Sequence, residues 1–521
     1  APPQSTVMPS PSGRRSMLNA AAYGVSDSPE YKVQSVQMAP GKRGERPPSY
    51  RSMNKQMNKR LSDAEPKAMP VSVWFIAGAL GMGGGSGAPP SGAPLRMLGE
   101  AYGGAGGGGG TLGDAELEAF RADFHSRVWC TYREGFKWLP RPGRGKPPRA
   151  AVGDTGDTDV GWGCTLRSGQ MLLANALQLT LLGRSWRWSG ARGDGSAEVR
   201  ADLSHLSLLR WFGDAPVAAC PFSLHAMLSA GRPYGVRADE WLGPTVVSRA
   251  LERLVNEERP GGMVCHLAGA DHPPDTVGAA GGSPELYVDE VVELCTGSAG
   301  GAAFGLQLPC LERSRVGGGD GDGAREAWSP LLLLVPLKLG AGRTINPVYV
   351  PLLREALSLP QSVGMVGGKH NASLYFVGVQ GEAGSTDVEG YYLDPHTVQP
   401  AAESGPYSCY YATGDSGLDA AKLARFPAAT YHCDQPRHMP ISGIDPSLAL
   451  GFRASSRQEF EALADALAEL ARSSPLAPLL TVASTRPQGA PGSPAGSERG
   501  RCATVTVDPD SDGEGGWELL D

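Results

Sequence analysis

The sequence has no long apolar run and no paired cysteines, and these two absences exclude several classes of protein. Its longest apolar stretches, at 71–82 and 331–340, are well short of the roughly 20 residues that a membrane helix needs. We therefore expect no transmembrane segment. Nine cysteines are scattered without any C-x-x-C pair, which is typical of a reduced intracellular protein rather than of a disulfide-rich secreted one. We expect a cytoplasmic protein without a secretory signal.

Positive charge is scarce outside the first sixty residues. Residues 1–60 carry ten Lys and Arg against three Asp and Glu, whereas the remainder carries 37 against 51. An acidic body does not favour nucleic acid, which needs a cationic face to displace counterions. The basic, serine-rich head is similar in composition to an organelle transit peptide. A solvated disordered tail is the alternative that we favour.

Glycine and proline, 72 and 44 residues, divide the chain into regions. Residues 1–110 are predicted to be largely disordered, with short ordered islands near 71–77 and 95–102 that pack on the folded body as edge strands or first-turn segments. Residues 111–485 form the folded domain, and 486–521 form a disordered acidic tail. The chain therefore contains one principal domain.

Helix patterns lead this domain and strand patterns follow. A helix begins at 114, with Asp114 as its expected N-cap, and ends near Tyr132. A second follows Cys164 and stops at Gly183, and a third follows Trp241. Helices before a strand-rich half predict an α+β protein. The main strand candidates are MVCHLA, LLLLVPLKLG, LYFVGVQG and GYYLDPHTVQP, the last two joined as a long hairpin, with a late helix at SRQEFEALADALAELARSS.

Cys164 lies at the expected start of the second helix, in DVGWGCTLRSGQML at 159–172. A helix N-terminus stabilises a thiolate through its unpaired N–H groups and its dipole. The flanking glycines let the backbone turn tightly and let a substrate chain approach. A buried core cysteine is the alternative that this stretch alone leaves open.

Asp394 and His396 stand two apart in YYLDPHTVQP, and on a strand this spacing puts both side chains on one face. A carboxylate beside an imidazole fixes its tautomer and stabilises its charged form, which favours a thiolate nearby. The alternative is a plain turn, since Asp-Pro favours one. Together with Cys164 the pair indicates a hydrolase with a Cys, Asp, His order.

Six stretches, in order along the chain, resemble the motifs of the autophagins, the autophagy-related protein 4 cysteine endopeptidases. The resemblance runs from about 112 to about 485. It implies a papain-like cysteine protease fold with a helical part followed by a strand-rich part. The stretches are SRVWCTYREGF, DVGWGCTLRSGQML, WLGPTVV, SVGMVGGKHNASLYFVGV, YYLDPHTVQP and IDPSLALGF.

The resemblance also implies roles for single residues. Cys164 matches the nucleophile, His396 the general base and acid, and Asp394 the carboxylate that orients it. Tyr132 matches a tyrosine that binds the oxyanion beside the Cys164 backbone N–H. Without the family, Tyr132 and Trp241 would both be interpreted as core. Substrate-binding residues implied by the family are Trp241, which covers the groove, and the flexible loop Gly367, Gly368, Lys369, His370 and Asn371 that closes on it.

Such enzymes act on the ubiquitin-like modifiers of autophagy, the autophagy-related protein 8 group. They cleave after a C-terminal glycine and later free the same glycine from phosphatidylethanolamine, so the partner is the modifier, free or lipid-conjugated. Contact with the autophagic membrane would be transient and would occur through the conjugated substrate. The alternative is a catalytically weak modifier-binding scaffold. No cofactor is expected.

The tail carries a second implied modifier site. Trp517 and Leu520 stand three apart behind a run of acids, like the aromatic-x-x-aliphatic motif by which autophagy proteins grasp their modifier. A weaker hypothesis is redox control through Cys409 and Cys433, since the family implies reversible oxidation.

Three other motifs do not carry a site. The stretch VGGKH has Ser362 where a phosphate-binding loop needs glycine and His370 where it needs Ser or Thr. His432, Cys433 and His438 have no usual zinc spacing. GDGDG at 319–323 lacks the remaining ligands of a calcium loop. We therefore expect no metal.

Overall fold

A computed structural model describes residues 85–86, 93–103, 112–139, 156–190, 197–236, 238, 240–269, 283–297, 327–402 and 426–487 of the 521. All of them belong to one compact unit, Pro66–Asp521. The expected island at 71–77, Cys409, Trp517 and Leu520 lie outside the described residues.

Five of the eight described α-helices precede strand β6 in the chain, and the other three lie between or after the later strands of the large sheet. None of the helices in these ranges is both long and apolar enough to cross a bilayer. The helices are α1 (Asp114–His125), α2 (Cys164–Leu181), α3 (Ala197–Trp211), α4 (Leu224–Gly231), α5 (Pro244–Glu258), α6 (Val288–Gly297), α7 (Val350–Ser358) and α8 (Arg457–Ser473).

Ten of the fifteen described strands lie in the second half of the chain. They are β1 (Gly85–Ser86), β2 (Leu95–Met97), β3 (Glu100–Tyr102), β4 (Tyr132–Leu139), β5 (Gly156–Thr158), β6 (Val264–Leu267), β7 (Glu285–Tyr287), β8 (Leu331–Lys338), β9 (Ser362–Lys369), β10 (Ala372–Gln380), β11 (Glu389–Leu393), β12 (Val398–Pro400), β13 (Arg437–Pro440), β14 (Ser447–Ala454) and β15 (Thr481–Ala483).

One large mixed sheet dominates, in the order β1-β13-β11-β10-β9-β14-β8-β6. The pairs are antiparallel except β6 with β8. The β2–β3 hairpin, which is the island at 95–102, pairs with the second half of β10. A second sheet has the order β12-β4-β5, and β15 pairs with β7 in a third. The α+β class is confirmed at this level.

The central sheet is covered by helices on both faces, which explains its uninterrupted apolar runs. Successive strand residues point to opposite faces. Accordingly Leu332 and Leu334 of β8 pack in the core shared with α2 and α5. Leu333 and Val335 pack in the other core, shared with α7 and α8. Because neither face meets water, the strand has no polar alternation.

Helix α2 is the central helix of the domain. Every residue from Cys164 to Leu179 is buried. Two of its amide side chains find partners inside: Asn175 bonds both the N–H and the carbonyl of Val128, and Gln170 donates to the carbonyl of Phe222. The helix therefore holds the residue at its first position rigidly.

Two predicted boundaries were wrong. The N-cap of α1 is Gly113 rather than Asp114, which is the first helical residue. The helix ends at His125, and Tyr132 opens strand β4 instead of lying at a helix end. The chain leaves the helix early because β4 pairs with β12, which comes much later in the sequence.

Candidate active site

The thiol of Cys164 lies at the N-terminus of α2, as the sequence predicts. Glycine precedes it for a steric reason: a Cβ at Gly163 would collide with the carboxylate of Asp159. The N–H of Gly163 in turn donates to the Asp159 carbonyl at 2.9 Å. The glycine therefore allows a tight turn that delivers the cysteine directly onto the helix.

Buried charges anchor this turn. Asp159 Oδ1 accepts the backbone N–H of Arg133 at 2.6 Å, and Oδ2 accepts Arg167 Nε at 2.8 Å. Arg167 also donates to Asp214 at 3.1 Å. All four of these residues are fully or almost fully buried. Because a buried charge is tolerated only when it is paired, removing one partner would loosen the turn that carries Cys164. Sequence reasoning missed this group, although Asp159 and Arg167 flank the cysteine at eight-residue spacing.

Asp394 and His396 lie in the turn between β11 and β12 and not on a strand, so the predicted strand geometry was wrong. The turn brings the two side chains together by another route. Asp394 Oδ1 accepts both the backbone N–H of His396 at 3.0 Å and its ring Nδ1 at 2.6 Å. A carboxylate can only accept, so Nδ1 carries the proton and Nε2 is left to face the thiol.

The small sheet β12-β4-β5 assembles the site from three distant stretches. Tyr132 pairs in register with Val398, just after the Asp-Pro-His turn, and its N–H donates to the Pro395 carbonyl at 2.9 Å. On the other side of β4, Glu134 pairs with Thr158, just before the turn that carries Cys164. One strand thus fixes both halves of the site.

Cys164 differs chemically from the other described cysteines. Burial alone would raise the pKa of its thiol, but hydrogen bonding to His396, the charge of that imidazole, the Ser373 N–H and the Tyr132 hydroxyl together lower it. Among the six cysteines that the structure describes, the other five have raised pKa values, since burial there outweighs any neighbouring charge or hydrogen bond. Cys130, for example, is raised to about 12.

His396 is the matching cation. Burial opposes its charged form, yet hydrogen bonds to Asp394 and Cys164 and their negative charges raise its pKa to about 10. Burial likewise opposes ionised Asp394, but the hydrogen bonds and charge of His396, assisted by Arg437, lower the pKa of that carboxyl. The arrangement favours a thiolate–imidazolium pair held by a carboxylate.

Tyr132 completes the group that the structure brings together. Its ring stands edge-on to the His396 imidazole, with centroids 5.3 Å apart, and is 5% exposed. Since its hydroxyl reaches Cys164, a donor lies where negative charge on a substrate oxygen next to the sulfur would develop.

The other expected substrate-binding residues lie on two further elements. Trp241 lies three residues before α5 and is 38% exposed, which a core tryptophan would not be. Gly367, Gly368 and Lys369 belong to β9, so the expected loop is the end of a hairpin. Its two-residue turn is His370 and Asn371, with Asn371 at φ 62°.

Three contacts at the site have no signal in the sequence. Arg437 Nη1 donates to Asp394 Oδ2 at 2.7 Å, and the indole Nε1 of Trp129 donates to the Asp394 carbonyl at 2.7 Å. The Ser373 N–H on β10 donates to the thiolate. Each joins segments that are remote in sequence, so only the fold reveals it.

His432 and His438, whose spacing fits no usual zinc site, form hydrogen bonds to other protein groups. His432 Nδ1 bonds the His125 carbonyl at 2.8 Å, and its Nε2 lies 3.1 Å from His205 Nε2. His438 Nδ1 bonds Glu389 at 3.0 Å. Cys433 is partly buried, and its thiol lies 3.7 Å from the Gln435 carbonyl.

Comparison with known proteins gives a consistent result. A sequence model of the peptidase C54 catalytic domain matches residues 117–466. The chain is 35% identical over 385 residues to the cysteine protease ATG4 of Medicago truncatula, covering 72% of this chain and 65% of the relative. Identity is 36% over 375 residues to ATG4b of Arabidopsis thaliana, covering 70% and 64%. It is 31% over 416 residues to ATG4D of Xenopus laevis, covering 73% and 72%.

Proposed function

Because the chain belongs to the peptidase C54 family, we propose that it is a cysteine protease acting on ubiquitin-like autophagy modifiers of the autophagy-related protein 8 group. It cleaves them after a C-terminal glycine and removes them from phosphatidylethanolamine. One observation carries the proposal: Cys164 is the described cysteine whose pKa is lowered, and its neighbours are His396, Asp394 and Tyr132. The match spans only about 65% of the length of the two plant relatives, so activity and substrate are proposed for this chain.

The mechanism follows from the geometry. The Cys164 thiolate attacks the carbonyl carbon of the substrate glycine, and the Tyr132 hydroxyl with the Cys164 N–H stabilises the oxyanion. The His396 imidazolium gives its Nε2 proton to the leaving amine, which departs as the neutral amine and leaves a thioester. Neutral His396 then takes a proton from water, and hydroxide displaces the thiolate. Asp394 keeps Nδ1 protonated throughout.

The same steps serve both substrates. The leaving group is the amine of a following residue in processing and the ethanolamine amine in delipidation, and in each case His396 protonates a nitrogen. Trp241 and the hairpin end at 367–371 are proposed to cover the groove that receives the modifier's tail. The glycines around Cys164 favour a groove that admits only glycine next to the sulfur. A papain-like fold fits α2, with its N-terminal nucleophile, packed against the sheet whose β11 leads to the histidine.

The C-terminal tail is proposed to bind the modifier a second time. Trp517 and Leu520 would add as an extended strand to a sheet edge of the modifier, with the preceding acids meeting a basic rim. Binding would then be bivalent and gain affinity through effective concentration. Changing both residues to Ala should raise KM several-fold and leave single-turnover acylation at saturation unchanged. Equal calorimetric affinity of the two proteins for the modifier would refute this second site.

The proposed function also implies where the protein works and how its activity would be regulated. The protein works in the cytoplasm and meets autophagic membranes transiently through its lipid-conjugated substrate. Reversible oxidation through Cys409 and Cys433 would control it. An unchanged redox midpoint of activity in the Cys409→Ser and Cys433→Ser variants would refute that pair.

The decisive experiment separates a protease from a modifier-binding scaffold. The protein is incubated with a modifier that carries residues beyond its glycine, and with the same modifier conjugated to phosphatidylethanolamine in vesicles. We expect cleavage of both, abolished in Cys164→Ala with binding retained. Binding without cleavage by the wild-type protein would instead identify a scaffold.

A further inference from the structure

The two carboxylate oxygens of Asp394 have different partners. Oδ1 accepts both hydrogen bonds from His396, whereas Oδ2 accepts Arg437 Nη1 at 2.7 Å. Asp394 is 9% exposed, so little water is available to hold Oδ2. A carboxylate bonded through one oxygen alone can rotate about its terminal bond, and that rotation would carry Oδ1 away from the imidazole.

Strand pairing sets the position of Arg437. It is the first residue of β13 and lies opposite Tyr392 of β11, two residues before Asp394. The guanidinium therefore reaches the carboxylate oxygen that His396 does not bond. The planar guanidinium presents N–H donors in a fixed geometry that matches a carboxylate, whereas a lysine ammonium does not.

We propose that Arg437 is a positioning residue of the protease: it fixes the carboxylate of Asp394 so that Oδ1 stays on His396 Nδ1. It acts through Asp394 and touches no reacting atom. The inference rests on the proposed function, because it assigns a role within the same reaction. Arg437 would thus join the cysteine, histidine and aspartate of the sequence motifs as a fourth residue of the site.

A cavity beside this ion pair makes the proposal testable by chemical means. Its volume is about 230 Å³, and it is predominantly polar. Asp394 and Arg437 line it, so removing the arginine side chain would open a space that joins the cavity and ends at the free Oδ2. The remaining lining residues are Trp129, Tyr392, Thr397, His432, Cys433, Asp434 and Gln435. A guanidinium ion is small enough to enter by this route and pair with the carboxylate.

The test compares Arg437→Ala and Arg437→Lys with wild-type protein. We expect kcat for modifier cleavage to fall roughly ten- to a hundred-fold in Arg437→Ala, because small misplacements of catalytic groups have effects of this size. Arg437→Lys keeps the positive charge but lacks the planar guanidinium, so its kcat should lie between those of Arg437→Ala and wild-type protein. Millimolar guanidinium should restore several-fold of the lost rate in Arg437→Ala, and urea, which is neutral and of the same shape, should not. In Arg437→Ala the acid limb of the pH profile of kcat/KM should move to higher pH, because Asp394 loses the cation that stabilises its ionised carboxylate.

Arg486→Ala is the matched control. Arg486 pairs with Glu290 at 2.6 Å, and its side chain is 23% exposed, against 27% for Arg437. It should keep wild-type activity and show no response to guanidinium. Folding of each variant is followed by near-ultraviolet circular dichroism.

A second readout needs no substrate: the rate at which iodoacetamide alkylates Cys164, measured against pH. If the protein cleaves no modifier, the proposed function fails, yet the alkylation profile still reports on Arg437. An unchanged alkylation profile and an unchanged kcat in folded Arg437→Ala would overturn the positioning role. So would a reduced kcat that guanidinium and urea affect equally, since that result indicates general loosening of the fold.

Discussion

At the residue scale, Cys164, the proposed nucleophile, is distinguished from the other described cysteines by its partners rather than by its exposure. It is as buried as the inert cysteines of the core. The difference is the His396 charge and three hydrogen bonds, which together outweigh desolvation. The identity of these residues could be predicted from the motifs. Their geometry could not, since Asp394 and His396 meet through a turn rather than along a strand.

The pH dependence of alkylation follows from the two shifts. The pKa of Cys164 is lowered, so its thiol becomes protonated only at pH values below the usual pKa of a thiol. The pKa of His396 is raised to about 10, so its imidazolium loses the proton as pH rises through about 10. Iodoacetamide reacts with thiolates, so it should label Cys164 at pH values below those at which an ordinary thiol, with a pKa of about 8.5, reacts. In Asp394→Asn the imidazolium loses the carboxylate that stabilises it, so the pH midpoint of labelling should move up toward the ordinary thiol value. An identical midpoint in the variant would contradict the assigned role of the carboxylate.

At the element scale, local signals placed most of the helices and strands, and pairing between distant strands supplied the remainder. The hairpin of β10 and β11 and the late helix α8 were predicted from pattern alone and are confirmed. Tyr132 was misplaced because nothing near it in the sequence reveals its pairing with β12. Arg437 was missed for the same reason, since its partner strand β11 lies more than forty residues earlier.

Helix α3 is joined to the segment after Tyr431 by a buried pair of neutral histidines. The Gln178 side chain donates to His205 Nδ1, and His205 Nε2 donates to His432 Nε2. His432 Nδ1 in turn donates to the His125 carbonyl. Burial lowers the pKa of His205 well below its usual value, and that of His432 to about 3. Unfolded histidines take up protons below about pH 6.5 while these two stay neutral, so their contribution to stability is present above pH 6.5 and is lost as pH falls toward 3.

A denaturation series tests this pair. Between pH 6.5 and 4.5 the free energy of unfolding should fall more steeply in wild-type protein than in His205→Gln, by up to about 1.4 kcal/mol per pH unit. Urea melts at several pH values measure the difference. Parallel curves for the two proteins would mean that His205 does not remain neutral in the fold.

The docking of the β2–β3 hairpin depends on glycine at position 378. A Cβ at Gly378 would lie 2.6 Å from the Arg96 carbonyl oxygen, which must then move away. Gly378→Ala should destabilise the domain by about 1–3 kcal/mol, as is usual for overpacking, because buried Leu95 and Met97 shift with the strand. Gly297→Ala, where a Cβ meets nothing within 4 Å, is the control and should change little. Equal melting temperatures for the two variants would argue against this packing.

At the scale of the whole molecule, the resemblance predicted from six ordered motifs is confirmed, since the matched family domain covers residues 117–466. The motifs identified the family because each carries residues that the chemistry or the local turn requires. They could not reveal the buried ion pairs around Asp159, because those depend on α2, β4 and Asp214 packing together. The tail motif and the Cys409 hypothesis stay predictions.

The central claim is that Cys164 is the nucleophile for a glycine-terminated modifier. The most direct measurement uses a modifier whose terminal glycine carries a thiol-reactive vinyl sulfone, followed by mass spectrometry of the digested adduct. One adduct per chain, on Cys164, is the expected result, and it should disappear in Cys164→Ala and slow markedly in His396→Ala. Labelling of any other cysteine at the same rate, or labelling of Cys164 that does not depend on His396, would contradict it.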